Sequence, residues 1–152
     1  MNRPLMTASQ SVRRIDANGT MWRLRSLAAM GHDATRIARA LGTRPVYVHR
    51  VLHGRARTIP ASLRDDVTCL WDAWWDKTPP QTTPAQRRAA ARARHLAAVN
   101  DWPAAAGLDE DQLDQPGYRP WCRYRPATGT GTAPEITPAT LRATRPTARD
   151  IA

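Results

Sequence analysis

A chain of 152 residues with 23 Lys or Arg against 13 Asp or Glu carries a formal charge of +10, a field that draws it toward polyanions. Its two cysteines, Cys69 and Cys122, lie far apart without a Cys-x-x-Cys partner, so they build neither a disulfide framework nor a four-ligand zinc site. With no apolar run of about eighteen residues and no signal-like start, neither membrane spanning nor secretion is expected, and a cytoplasmic, nucleoid-associated protein is. The charge is uneven: residues 1–78 sum to +7, 79–100 to +4, 101–118 to −5 and 119–152 to +4. Every basic residue except Lys77 is Arg, Ala is abundant and Phe is absent, the usage of a GC-rich, actinobacterial type of genome.

Taken in chain order, residues 1–14 read as a disordered arm. A domain over 15–78 follows, beginning with a helix across Thr20–Met30. Its apolar residues Met21, Leu24, Leu27 and Ala28 draw one stripe, and Gly31 closes it. The window Ala34–His53 then matches a helix-turn-helix pattern wherever the backbone restricts the residue. Ala38 is small where two helices touch, Gly42 sits where the turn needs a positive φ, and Ile37, Leu41, Val48 and Val51 are apolar. Arg44 stands where Ser or Thr usually caps the second helix, leaving the capping to Thr43 or solvent. Pro45 fits the first turn because its missing N–H has no intrahelical partner to lose. Gly54 ends this helix, the loop Arg55–Thr58 follows, and Pro60 is expected at the first position of a fourth helix with Leu63, Val67, Leu70, Trp71 and Trp74 on one face. The fold expected is all-α, a four-helix unit with Trp22, Trp71 and Trp74 as its large core residues.

The outer face of the second helix of such a motif enters the major groove, and this assigns double-stranded DNA as the partner. The residues presented are Arg44, Val46, Tyr47, His49, Arg50 and His53. Arg50 has the planar fork that pairs with guanine O6 and N7, and Val46 suits a thymine methyl. Thr35, Tyr47, Arg55 and Arg57 are placed for phosphates. His49 and His53 share the i, i+4 spacing of a two-histidine metal site, but no Glu follows His49 and no third ligand is near, so no metal or other cofactor is assigned. Asp65, Asp66, Asp72 and Asp76 read as solvated charges along one helix. No nucleophile has a recognisable local motif, and no enzyme is expected. The acidic cluster Asp109–Asp114 suits neutralisation of a basic neighbour better than a Mg²⁺ site.

Beyond Thr78-Pro79-Pro80, where prolines stop the helix and a domain boundary is expected, residues 79–125 comprise a linker, a basic helix over Pro84–Val99 and an irregular acidic and aromatic segment. The helix face is mostly Ala, with only Leu96 and Val99 as anchors, so loose packing is expected. Residues 101–125, with Trp102, Tyr118, Trp121 and Tyr124, read as a patch folding back on that helix and offering a surface for a protein partner. The Thr-, Pro-, Ala- and Gly-rich residues 126–152 read as a disordered tail.

Through Ile37-Ala38, Leu41-Gly42, Val48, Val51-Leu52 and the helix after Ile59, residues 17–76 resemble the lambda-repressor-like and Cro-like helix-turn-helix proteins. More narrowly, Asp16-Ala-x-Gly-Thr20, Trp71-x-x-Trp74 with its Thr-Pro-Pro stop, and Trp102-Pro with the acidic run before Arg119-Pro120 resemble a group of uncharacterised actinobacterial and actinophage proteins. The resemblance implies a transcriptional regulator of phage or mobile-element type, with no defined ligand. A homodimer is expected, because one unit reads few base pairs and two half-sites lie about one helical turn apart; Trp75 is a candidate anchor. The alternatives are an accessory factor of a mobile element, for recombination directionality or replication, and a non-specific nucleic-acid binder.

Overall fold

A computed structural model describes residues 12–145, which are mostly helical. The expectations for residues 1–11 and 146–152 therefore lie outside the described residues. Helix α1 runs over Asn18–Ala29, α2 over Ala34–Leu41, α3 over Pro45–Leu52, α4 over Ala61–Trp74, α5 over Pro84–Val99 and α6 over Pro138–Thr144. Leu24, Leu27, Ile37, Val48, Val51, Leu52, Val67, Leu70 and Trp74 interdigitate in one core. No helix among the described residues is long and apolar enough to cross a membrane.

The all-α expectation needs one correction. Strands β1 (Arg14–Asp16) and β2 (Thr58–Pro60) pair antiparallel with Ile15 opposite Ile59, tying the chain before α1 to the loop after α3. Ile59 is fully buried there, and the Arg14 side chain donates to both Thr58 Oγ1 (3.0 Å) and the Thr58 carbonyl (2.9 Å). These bonds give the backbone of the loop partners that a helix would otherwise supply. In consequence Pro60 ends the strand and caps α4 from outside, one position before its expected place.

Helix α5 has the expected span, begun by a reciprocal capping box between Thr83 and Gln86 with Pro84 in the first turn. Its packing differs from expectation. Ala90, Ala93 and Ala97 form a buried stripe laid against α1, while Leu96 is half-buried and Val99 is 69% exposed. Small side chains let the two backbones approach, so the alanines themselves are the anchors. The prolines at 79–80 thus turn the chain without ending a domain: Ala97, Trp102, Ala133 and Leu141 belong to the same core as α1–α4.

The acidic and aromatic segment folds onto α1 rather than onto α5. Arg23 of α1, with 7% of its side chain exposed, holds both oxygens of Asp114 at 2.7 and 2.9 Å. Asn18 Nδ2 (2.9 Å) and Trp22 Nε1 (3.2 Å) both donate to the Tyr118 carbonyl, and Leu113 is fully buried. A buried guanidinium needs a carboxylate, and α1 is where the buried guanidinium is. Gly19 makes the approach feasible, since a Cβ there would stand 2.4 Å from Asp114 Oδ1.

Residues 126–145 are a folded strap, which corrects the expected disorder. Thr78 N–H donates to the Gly131 carbonyl (2.9 Å), and Ala133 N–H donates to the Thr78 carbonyl (2.8 Å). Trp74 Nε1 donates to the Pro134 carbonyl (2.8 Å), Leu141 is buried, and Arg145 pairs with Asp66. The composition reading failed because this strap needs no core of its own: backbone hydrogen bonds and two small apolar contacts cover a surface built by α2 and α4. Asp66 and Asp76, read as solvated charges, take part in it, Asp76 accepting from Thr130 Oγ1 at 2.7 Å.

Candidate nucleic-acid interface

Helices α2 and α3 are joined by a turn in which Gly42 adopts φ 71° and ψ 30°. Thr43 N–H returns to the Ala38 carbonyl (3.0 Å), so the last carbonyls of α2 are satisfied by the turn itself. A side chain at Gly42 would be strained by its φ and would also place a Cβ 2.8 Å from Pro138 of α6. Asp33 caps α2 by accepting from Arg36 N–H at 3.1 Å. Ile37, Ala38 and Leu41 face Val48, Val51 and Leu52 inside the core.

The opposite face of α3 is solvent-facing. Arg44 is its N-cap in extended conformation and makes no side-chain capping bond, nor does Thr43. The Arg44 guanidinium is therefore uncommitted among the described residues. Arg44, Val46 (63% exposed), Tyr47 and Arg50 border one shallow depression beside Gly42 and Thr43. Tyr47 is half-buried against the core, so it shares its ring between packing and surface. His49 and His53 stack with centroids 6.2 Å apart, and His53 also tilts against Trp102 at 5.5 Å. Partial burial, then the neighbouring His49, Arg55 and Arg25, lower the proton affinity of His53. Thr35 is exposed in the first turn of α2, and Arg55 and Arg57 are exposed in the loop after α3. Arg44, Arg50, Arg55 and Arg57 have no carboxylate partner among the described residues. All nine residues expected from sequence thus lie on α2, at the Arg44 cap before α3, on α3 or in the loop beyond.

Two contributors were missed. Arg25 of α1 donates through Nε to the Leu52 carbonyl (2.7 Å) at the end of α3, with its guanidinium 4.6 Å from the Trp22 ring and 4.9 Å from the Trp102 ring. Burial lowers its pKa to about 10, so it remains charged at neutral pH and fixes the C-terminus of α3. Nothing in the stripe of α1 singled it out, because Trp102 arrives from 77 residues further along the chain. The second contributor is α5, whose Arg92 and His95 share a groove with Thr35 and His49.

Among the described residues, no group of three or more His, Cys, Asp or Glu converges on a point where a metal ion would sit. His49 and His53 form a stacked pair, and Trp102 is the aromatic neighbour of His53. Comparison with known proteins gives no match to a family model, to a curated protein or to a solved structure.

Proposed function

We propose that the chain is a sequence-specific double-stranded DNA-binding regulator in which α2, the Gly42 turn and α3 act as a helix-turn-helix. The observation that supports this best is the outer face of α3, where Arg44, Val46, His49 and Arg50 stand exposed on a helix fixed from behind and no carboxylate competes for the arginines. Arg50 reads a guanine, Val46 meets a thymine methyl, and Thr35, Arg55 and Arg57 hold phosphates on either side. Two copies bind half-sites about one helical turn apart, with Trp75, 44% exposed at the end of α4, at their contact.

Selection from a random duplex library tests the reading. The chain should enrich one short motif, and Arg50→Ala should weaken binding to that motif by about 1–3 kcal/mol while relaxing preference at one position. Arg55→Ala should instead weaken all duplexes alike and reduce the salt slope by about 1. Equal loss on every sequence from Arg50→Ala would identify a non-specific binder. Genomic sites confined to an attachment region or an origin would identify an accessory factor of a mobile element.

A further inference from the structure

Helix α5 carries four arginines and no acid across Pro84–Val99. Its buried stripe at Ala90, Ala93 and Ala97 orients everything else on it. Arg88, Arg92 and His95, spaced i, i+4, i+7, fall on the far side of the helix and are all exposed. None of them has a carboxylate partner among the described residues. By contrast Arg87 is engaged, donating to the carbonyls of Gln81 (3.4 Å) and Thr82 (3.2 Å). The free stripe adjoins the surface just described, because Arg92 and His95 border one groove with Thr35 of α2 and His49 of α3. Of the acids, only Asp33, the cap of α2, borders that groove.

We propose that the Arg88–Arg92–His95 face of α5 is a second DNA-contacting element, which grips backbone phosphates of the same duplex beside the strand that Thr35 meets. The inference rests on the DNA-binding reading and adds to it. Contacts to backbone phosphates carry no base code, so this face contributes affinity and footprint length but no sequence preference. The Ala stripe acquires a purpose in this arrangement: it holds a cationic helix close to α1, level with the start of α2.

The test compares the full-length chain with Arg88→Ala/Arg92→Ala and Arg88→Lys/Arg92→Lys on a duplex carrying the motif selected from the random library and on an unrelated duplex. Both substitutions lie at exposed helical positions, and circular dichroism melting checks that the fold is kept. The Ala pair should lower the slope of log K against log salt by about 1.8, at 0.9 per phosphate contact. It should also shorten hydroxyl-radical protection on one flank and leave the ratio between the two duplexes unchanged. The Lys pair should restore slope and footprint. An unchanged slope and footprint with Arg50→Ala still impairing the selected duplex overturns the role of α5 alone. A change in oligomeric state with an unchanged slope also overturns it, assigning the face to a protein partner. Failure of the wild-type chain to retain any duplex overturns the DNA-binding reading and this one together.

Discussion

His32 sits in an environment far from that of a free side chain. It is fully buried between α1 and α2, with its ring stacked 4.7 Å from that of Trp74 and nearly parallel to it. The Lys77 carbonyl lies 2.9 Å from Nε2 and accepts its proton, which leaves Nδ1 as a bare lone pair with no partner. Burial is the main reason its pKa falls to about 4, and the nearby Arg36 adds to the fall against the opposing effect of the Lys77 carbonyl. The unfolded chain takes up this proton near pH 6.5 and the folded one only near 4, so between these values the unfolded state binds more protons. Stability is therefore full above pH 6.5, declines as pH falls to about 4, and levels below that. The amount lost is about 3 kcal/mol. Urea midpoints measured from pH 7 to 4 should follow this decline, and His32→Gln, which cannot titrate, should flatten it; a slope that survives the substitution refutes the assignment. Asp114 acts in a lower window, since its hydrogen bonds from Arg23 hold it below the usual carboxylate range.

At the scale of elements, α5 is the place where packing and sequence pattern diverge most. Its span and cap were legible, because Thr83-Pro84 and Gln86 spell a helix start in any context. Its role was not, because alanine carries little hydrophobic signal, and only the close approach of α1 gives Ala90, Ala93 and Ala97 their weight. Ala97→Leu should expose this: its methyl is fully buried against the core, so the larger side chain should cost about 1–3 kcal/mol in a denaturant titration, whereas the same change at the exposed Ala98 should cost under about 0.5 kcal/mol. The turn at Gly42 and the inward faces of α2 and α3 were legible for the opposite reason, since a positive φ and a tight helix contact each admit few residues. The β1–β2 pair and the strap were hidden by distance. A three-residue strand is defined by its partner, and Arg14–Asp16 pairs with Thr58–Pro60 across three intervening helices. That Arg50 faces outward was legible from the helical pattern, whereas Arg25 acquires meaning only from Trp22, Trp102 and the Leu52 carbonyl.

For the whole molecule, the unequal charge of the segments becomes a question of where the field points. Asp109, Glu110 and Asp111 are exposed, have no cationic partner among the described residues, and border neither the depression on α3 nor the groove beneath α5. Asp114 differs, being committed to Arg23. Apart from the Asp111 N–H that Asp109 Oδ1 accepts at 3.1 Å, a bond that Asn would keep, the three carboxylates act through space, repelling a polyanion that approaches from their side. Such a field disfavours wrong orientations at encounter without adding a contact. Neutralising them together, Asp109→Asn/Glu110→Gln/Asp111→Asn, raises the formal charge from +10 to +13 by removal of three negative charges. The association rate with any duplex should then rise about two- to five-fold at 0.05 M salt, because the screening length there is about 14 Å and the lost repulsion is still felt. At 0.5 M, where that length is about 4 Å, the variant and the wild type should coincide. The preference for the selected duplex over an unrelated one should not change, since a long-range field is blind to sequence. Stopped-flow association at the two salt concentrations decides the matter. Equal rates at 0.05 M would mean that these carboxylates do not face the approach path, and altered preference would place them in contact with the bases.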